Sequence, residues 1–202
     1  MRRSPAHRRI RGLVATLAGA AVMAAVLPAA AAAACASKAT SSAFAGFGDE
    51  SAYSLVPGGS FESGAPGWSL NDASVINENE SFNITPGSHS LGIESFGSAA
   101  SPWICISSEY PTFRFFARRL SGATSSTLNV SLRWVDILGI GVDTTAGTLQ
   151  SSGSWAPSPV LRLGKAVPLW MPGGTLQVSL VFTPAWGSSW AVDDVYIDPY
   201  RR

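Results

Sequence analysis

The chain predicts an all-β fold, an antiparallel β-sandwich in a single domain, on three observations. Beyond residue 34 it carries 18 glycines and 11 prolines in 168 residues, about one breaker in six, which leaves little room for helices of ordinary length. Apolar residues recur with period two in several short runs, the signature of half-buried strands. Those runs are bounded by Gly, Pro or Ser, and many short strands separated by turns build a sandwich.

Residues 1–34 are expected to be a cleaved secretory signal peptide. Arg2, Arg3, Arg8, Arg9 and Arg11 precede an apolar run from Leu13 to Leu27, which dissolves into an alanine tract suited to cleavage. His7–Leu13 also resembles a twin-arginine export signal, and the sequence leaves the route open. An irregular segment, 35–52, then leads into the sandwich domain, 53–202, whose first strand is expected at Tyr53–Val56.

Further strands are expected at Ser90–Ile93, Trp103–Ile106, Thr112–Ala117 and, after a Ser/Thr-rich hairpin loop at 121–127, at Leu128–Val135. There Leu128, Val130, Leu132 and Trp134 share one face. Val160–Leu163 and Leu176–Phe182 continue the series. The last run, Trp190–Ile197, changes phase: Trp190 and Val192 share one parity, Val195 and Ile197 the other. A β-bulge at Asp193–Asp194 would absorb the slip and turn Asp193 toward a specific partner. An edge strand protected by charge is the alternative.

Without the leader, nine Lys and Arg face thirteen Asp and Glu, a net charge of −4, which argues against a nucleic-acid partner. The two cysteines, Cys35 and Cys105, fall in the exported part, where a disulfide persists. Their bridge would stabilise by about 4 kcal/mol on the chain-entropy model. Cys35 also stands at the expected cleavage point, so lipidation of that residue is the competing reading.

Two end segments carry a resemblance. Gly58–Trp68, GGSFESGAPGW, resembles the opening signature of carbohydrate-binding modules with a galactose-binding-like jelly roll, and Trp190–Pro199, WAVDDVYIDP, resembles their closing strand. The exported part also resembles small exported actinobacterial proteins of unknown function, through the early cysteine, Pro57–Trp68, Ser101–Cys105 and Asp193–Pro199. The resemblance implies a jelly roll and a structural calcium held by Glu62 and Asp193. Ser60, Asp194 and carbonyls of the Gly58–Gly59 turn are further oxygen donors of the kind calcium takes. Two carboxylates about 4 Å apart repel by roughly 4 kcal/mol at an effective dielectric near 20, so a cation, an arginine such as Arg114, or a proton must intervene.

Catalytic signals are few. His89 is the only histidine beyond the leader and no G-x-S-x-G elbow occurs, which excludes a multi-histidine zinc site and leaves a serine triad resting on one imidazole. Glu78 and Glu80 would lie about 7 Å apart on one strand face, a spacing that lets two carboxylates divide acid and base roles; the resemblance to the exported proteins, which extends to Asn79–Phe82, implies a loop-anchoring role for Glu80 instead. Of the seven tryptophans, Trp68, Trp134 and Trp190 are expected in the core, while Trp103, Trp170 and Trp186 are expected to reach solvent. Phe116, Arg118 and Arg133 fall on strand faces opposite the core and are candidate ligand contacts with those tryptophans. The expectation is a secreted, non-catalytic, carbohydrate-binding protein. A cell-envelope structural or interaction protein without a sugar ligand is the alternative, and a jelly-roll glycosidase or lyase the third.

Overall fold

A computed structural model describes residues 38–107, 112–136, 138–150, 153–162 and 175–198. The signal peptide, Cys35 and Trp170 lie outside the described residues.

The elements are a short 3-10 turn, Ala45–Phe47, and strands β1 (Ser54–Leu55), β2 (Ser69–Ile76), β3 (Ser90–Ala100), β4 (Ile104–Ser107), β5 (Thr112–Ser121), β6 (Thr127–Val135), β7 (Gly141–Gln150), β8 (Ala156–Pro157), β9 (Leu161–Arg162), β10 (Thr175–Pro184) and β11 (Ser189–Ile197). They form one antiparallel, curled sheet in the order β7-β6-β10-β3-β11-β5-β8, with β1 on β11, β2 on β3, β4 on β10 and β9 on β5. The curl arises where strands change neighbour. Thr175–Val178 of β10 pair with β4, whereas Val181 and Phe182 pair with the end of β3. The result is a jelly roll whose two faces close on one apolar core.

Period two fills that core as the sequence requires. Leu128, Val130, Leu132 and Trp134 from β6, Val178, Leu180 and Phe182 from β10, and Phe113 and Phe115 from β5 pack together with Trp68 and Trp190. At the last strand the bulge is present. Asp193 pairs with Phe116 and Tyr196 with Arg114, so three steps on β11 oppose two on β5. Asp194 takes φ +47°, and Trp190, Val192, Val195 and Ile197 all reach the same core across the slip.

The opposite face of β5 and β11 is covered as well. Phe44, Tyr53, Phe116, Trp155, Ala191 and Tyr196 form a second cluster, closed by the segment that bridges Ser41 to Tyr53. Phe44 stacks on Phe116 with centroids 5.4 Å apart, and Phe47 and Phe82 pack edge-on and tilted against the same ring. Phe116 is therefore 0% exposed. Its expected place on an open binding face is corrected: alternation put it opposite the main core, and the N-terminal segment buries it there.

Candidate functional site: a loop held by four carboxylates

The opening and closing segments lie side by side. Ser54 and Leu55 pair with Ile197 and Tyr196, the Val56 amide donates to the Val195 carbonyl at 2.8 Å, and the Val195 amide to the Gly59 carbonyl at 3.0 Å. A Cβ on Gly59 would sit 2.9 Å from the Val56 carbonyl oxygen and 3.0 Å from that of Val195, so only glycine permits this approach. Trp68 braces the turn by donating its indole N–H to the Pro57 carbonyl at 3.0 Å. These contacts explain Gly59 and Trp68 of the opening signature.

The carboxylates of both segments turn to a common object, the connection 79–89 between β2 and β3. Glu62 accepts the Ser88 amide at 2.9 Å and the His89 amide at 2.8 Å, with the His89 ring 3.2 Å away. Asp193 accepts the Glu80 amide at 3.1 Å and the Asp194 amide at 2.8 Å. The Asn79 amide, with its nitrogen turned inward, donates to Asp193 at 2.8 Å and to the His89 carbonyl at 3.2 Å. Asp194 accepts the Thr85 amide at 2.9 Å. Glu80, 3% exposed, turns back on its own loop and accepts the Phe82 amide and, at 2.6 Å, that of Ile84.

Burial sets the electrostatics. Desolvation pushes Asp193 up to about 8, helped by the charges of Asp194 and Glu80 and opposed by the amides it accepts. Desolvation likewise pushes Asp194 up to about 6, with the charges of Glu80 and Glu62 adding to it and Thr85 opposing. For Glu62, desolvation also raises the value, but the Ser88 and His89 amides and the imidazole outweigh it and hold it below its ordinary range. Asp194 Oδ1 is buried without a hydrogen-bond partner.

Arg114 does not neutralise this group. Its guanidinium donates to Asp49 at 3.1 Å and twice to the Ser158 carbonyl, and lies 4.4 Å from the centre of the Phe44 ring. Among the described residues no group of three or more His, Cys, Asp and Glu is gathered as a metal cluster. The structure thus brings Glu62, Asp193 and Asp194 to one loop through its amides, while Ser60 stands half-buried beside Gly59. Thr85 and Gly87 belong to the same arrangement as Asn79 and Glu80 and were not singled out by the sequence. A Cβ on Gly87 would fall 1.9 Å from the Glu62 carboxyl carbon.

The remaining candidates separate. Glu78 accepts the Trp155 indole N–H at 2.9 Å and pairs with Arg118 at 2.7 Å, so it and Glu80 serve different structural partners. Arg133 forms a two-pronged pair with Asp143, both contacts 2.8 Å, on the surface. Trp103 is 50% and Trp186 81% exposed.

No protein-family model and no curated protein sequence matches this chain. Solved structures do. The N-terminal CBM22-1 and GH10 modules of Clostridium thermocellum endo-1,4-beta-D-xylanase 10B, complexed with xylohexaose, superpose with a TM-score of 0.53 at 16% identity over 71% of this chain and 28% of that one. The CBM22-1 xylan-binding domain of Paenibacillus barcinonensis Xyn10C gives 0.51 at 15% identity over 71% of this chain and 92% of that domain. The tandem CBM22-1 and CBM22-2 domains of the same xylanase give 0.52 at 13% identity, over 71% and 44%. The chain thus spans little more than a quarter of the first of these. At such identities the likeness is one of architecture: this chain shares the jelly roll of carbohydrate-binding modules.

Proposed function

We propose that this protein is exported and binds carbohydrate without transforming it. The observation that carries the reading is a jelly roll of the binding-module kind with large aromatic side chains left in water, Trp186 and Trp103 foremost. Sugar rings present apolar C–H faces that stack on such rings, and flanking polar groups hydrogen-bond the hydroxyls. The non-catalytic part is supported by Glu78 and Glu80, expected on one strand face as an acid–base pair: both lie beyond β2, in the connection to β3, and each is committed to a structural partner. Electrophoresis through gels containing soluble xylan, galactan, glucan or mannan tests the reading. Retardation of the native protein in at least one is expected; migration unchanged in all of them would end it.

A structural calcium belongs to the same reading. Its support is the buried Asp194 oxygen that lacks a partner, beside Asp193, both acids with raised proton affinity. Asp194 would hold the ion with its neighbour Asp193, the other oxygens coming from water, donors of the type calcium takes; Glu62, expected as a ligand, is given to the Ser88 and His89 amides instead. The ion would supply the positive charge the group lacks. Calcium at about a hundredfold excess over its dissociation constant should stabilise by about 2.7 kcal/mol, an effect lost in Asp194→Asn. Identical melting in calcium and in chelator would remove it. The intact mass of the secreted protein tests export and pairing together: a chain starting at Cys35, two hydrogens lighter than its reduced form, is expected, and an acylated mass would replace the disulfide by a lipid anchor.

A further inference from the structure

One aromatic pair is held in water by backbone that does not relax. Phe96 belongs to β3, yet it is 72% exposed while Ile93 and Ala99 of the same strand are core residues. It stands at an irregularity of the β2–β3 ladder, where the register shifts between Asn71 and Ala73. Phe96 takes φ +67° and Asp72 φ +44°, left-handed values that each cost a non-glycine residue about 1–3 kcal/mol. Gly97 permits the fold-back, since a Cβ there would lie 2.5 Å from the Asp72 carbonyl oxygen. Nothing in core packing repays a strained phenylalanine turned to solvent.

The β10–β11 turn brings the second ring. Its backbone closes from the Ser188 amide to the Ala185 carbonyl at 3.2 Å, and the Gly187 amide donates to the Ser95 hydroxyl at 2.9 Å, tying the turn to the residue before Phe96. Trp186 projects from this turn, and its ring centre lies 6.4 Å from that of Phe96 with the planes tilted by 46°. The same bulge exposes Asn71, Asp72 and Glu94.

We propose that Phe96 and Trp186 form the carbohydrate contact of this protein, a two-ring cradle for one uncharged sugar unit of a soluble glycan. Two rings this close reach the same sugar ring, and their tilt makes a shallow notch. A flat crystalline polysaccharide face would require coplanar aromatics. Asp72, Glu94 and Asn71 are acceptors suited to hydroxyl groups, and the negative charge of the two carboxylates disfavours phosphates and anionic lipids. Strain held at an exposed position is the pattern expected of a pre-organised binding residue.

The inference rests on the carbohydrate reading, and the experiment separates the two. Native protein, Phe96→Ala, Trp186→Ala and the remote exposed Leu138→Ala are compared by affinity electrophoresis in the soluble polysaccharide that retards the native chain. Each aromatic variant should weaken binding by about tenfold or more, and Leu138→Ala should bind as the native protein does. Phe96→Gly should melt higher than the native protein, because glycine relieves the left-handed backbone, while losing the same affinity; a structural role for the ring would lower both. Native-like binding by Trp186→Ala or Phe96→Ala overturns the cradle and leaves the carbohydrate reading intact. Retention on microcrystalline cellulose overturns the single-unit geometry. Failure of the native protein to be retarded in any gel overturns both.

Discussion

Replacing Glu80 by alanine should be among the most damaging single changes outside the apolar core. Its carboxylate is 3% exposed and accepts the amides of Phe82 and Ile84. Hydrogen bonds to a charged acceptor contribute about 1.5–3 kcal/mol each, but both amides are only partly buried and would recover some hydration. Loss of both is worth about 3 kcal/mol. Phe82 is seated by the same bonds against Phe47 and Phe116, and loosening those ring pairs adds about 0.5–1.5 kcal/mol apiece at most. Against this, removing one negative charge beside Asp193 and Asp194 returns part of the loss. The net expectation for Glu80→Ala is about 2–4 kcal/mol in urea unfolding followed by tryptophan fluorescence, with an unchanged dependence on denaturant. Glu80→Gln keeps one acceptor and also sheds the charge, so it should lose less than half as much. A loss below about 1 kcal/mol for the alanine variant, or glutamine as damaging as alanine, would refute the reasoning.

Stability in chelator should peak near pH 4 and fall on either side. Asp49 is held down at about 2 because Ser51, Tyr53 and Arg114 outweigh its desolvation; its contribution is present above its ordinary value and lost as pH falls toward 2. Asp194 and Asp193 are raised to about 6 and about 8, so their contribution is present below their ordinary value and lost as pH rises through 6 and 8. Asp194→Asn should flatten the alkaline side by on the order of 3 kcal/mol; a melting temperature that climbs steadily from pH 4 to 8 in chelator contradicts this. Gly87→Ala must displace the Glu62 carboxylate from the Ser88 and His89 amides, at about 1–2 kcal/mol. In a Glu62→Ala background the same change should be nearly neutral, and a full loss there would show that Gly87 serves some other constraint.

The strands with a buried face were legible, because alternation records burial: β6, β10 and β11 stand where their periodicity places them. The bulge was legible from the parity change across Asp193–Asp194, which has no other regular solution if both halves of β11 are to reach the core. Strands β2 and β7 were not, since SLNDASVI and GVDTTAGTLQ are largely exposed and polar and carry little apolar signal. Phe116 was misplaced because period two says which face a residue takes and not what covers that face; its cover, Phe44, comes from a segment without alternation. The site was half legible. The meeting of the two ends and the anchoring role of Glu80 were implied by the resemblance, whereas the acceptance of loop amides by Glu62, Asp193 and Asp194 joins residues 26 to 113 positions apart. Phe96 gave no signal, because strain depends on a backbone angle that side-chain pattern does not record.

Amide hydrogen exchange along 79–89 tests the account most directly, since this connection forms no sheet ladder and would exchange rapidly on its own. The amides of Glu80, Ile84, Thr85 and His89, each donated to a carboxylate, should be protected nearly as strongly as those of the adjoining β3. Exchange of these four at the rate of an open surface loop would contradict the claim that the two ends of the domain hold it in place.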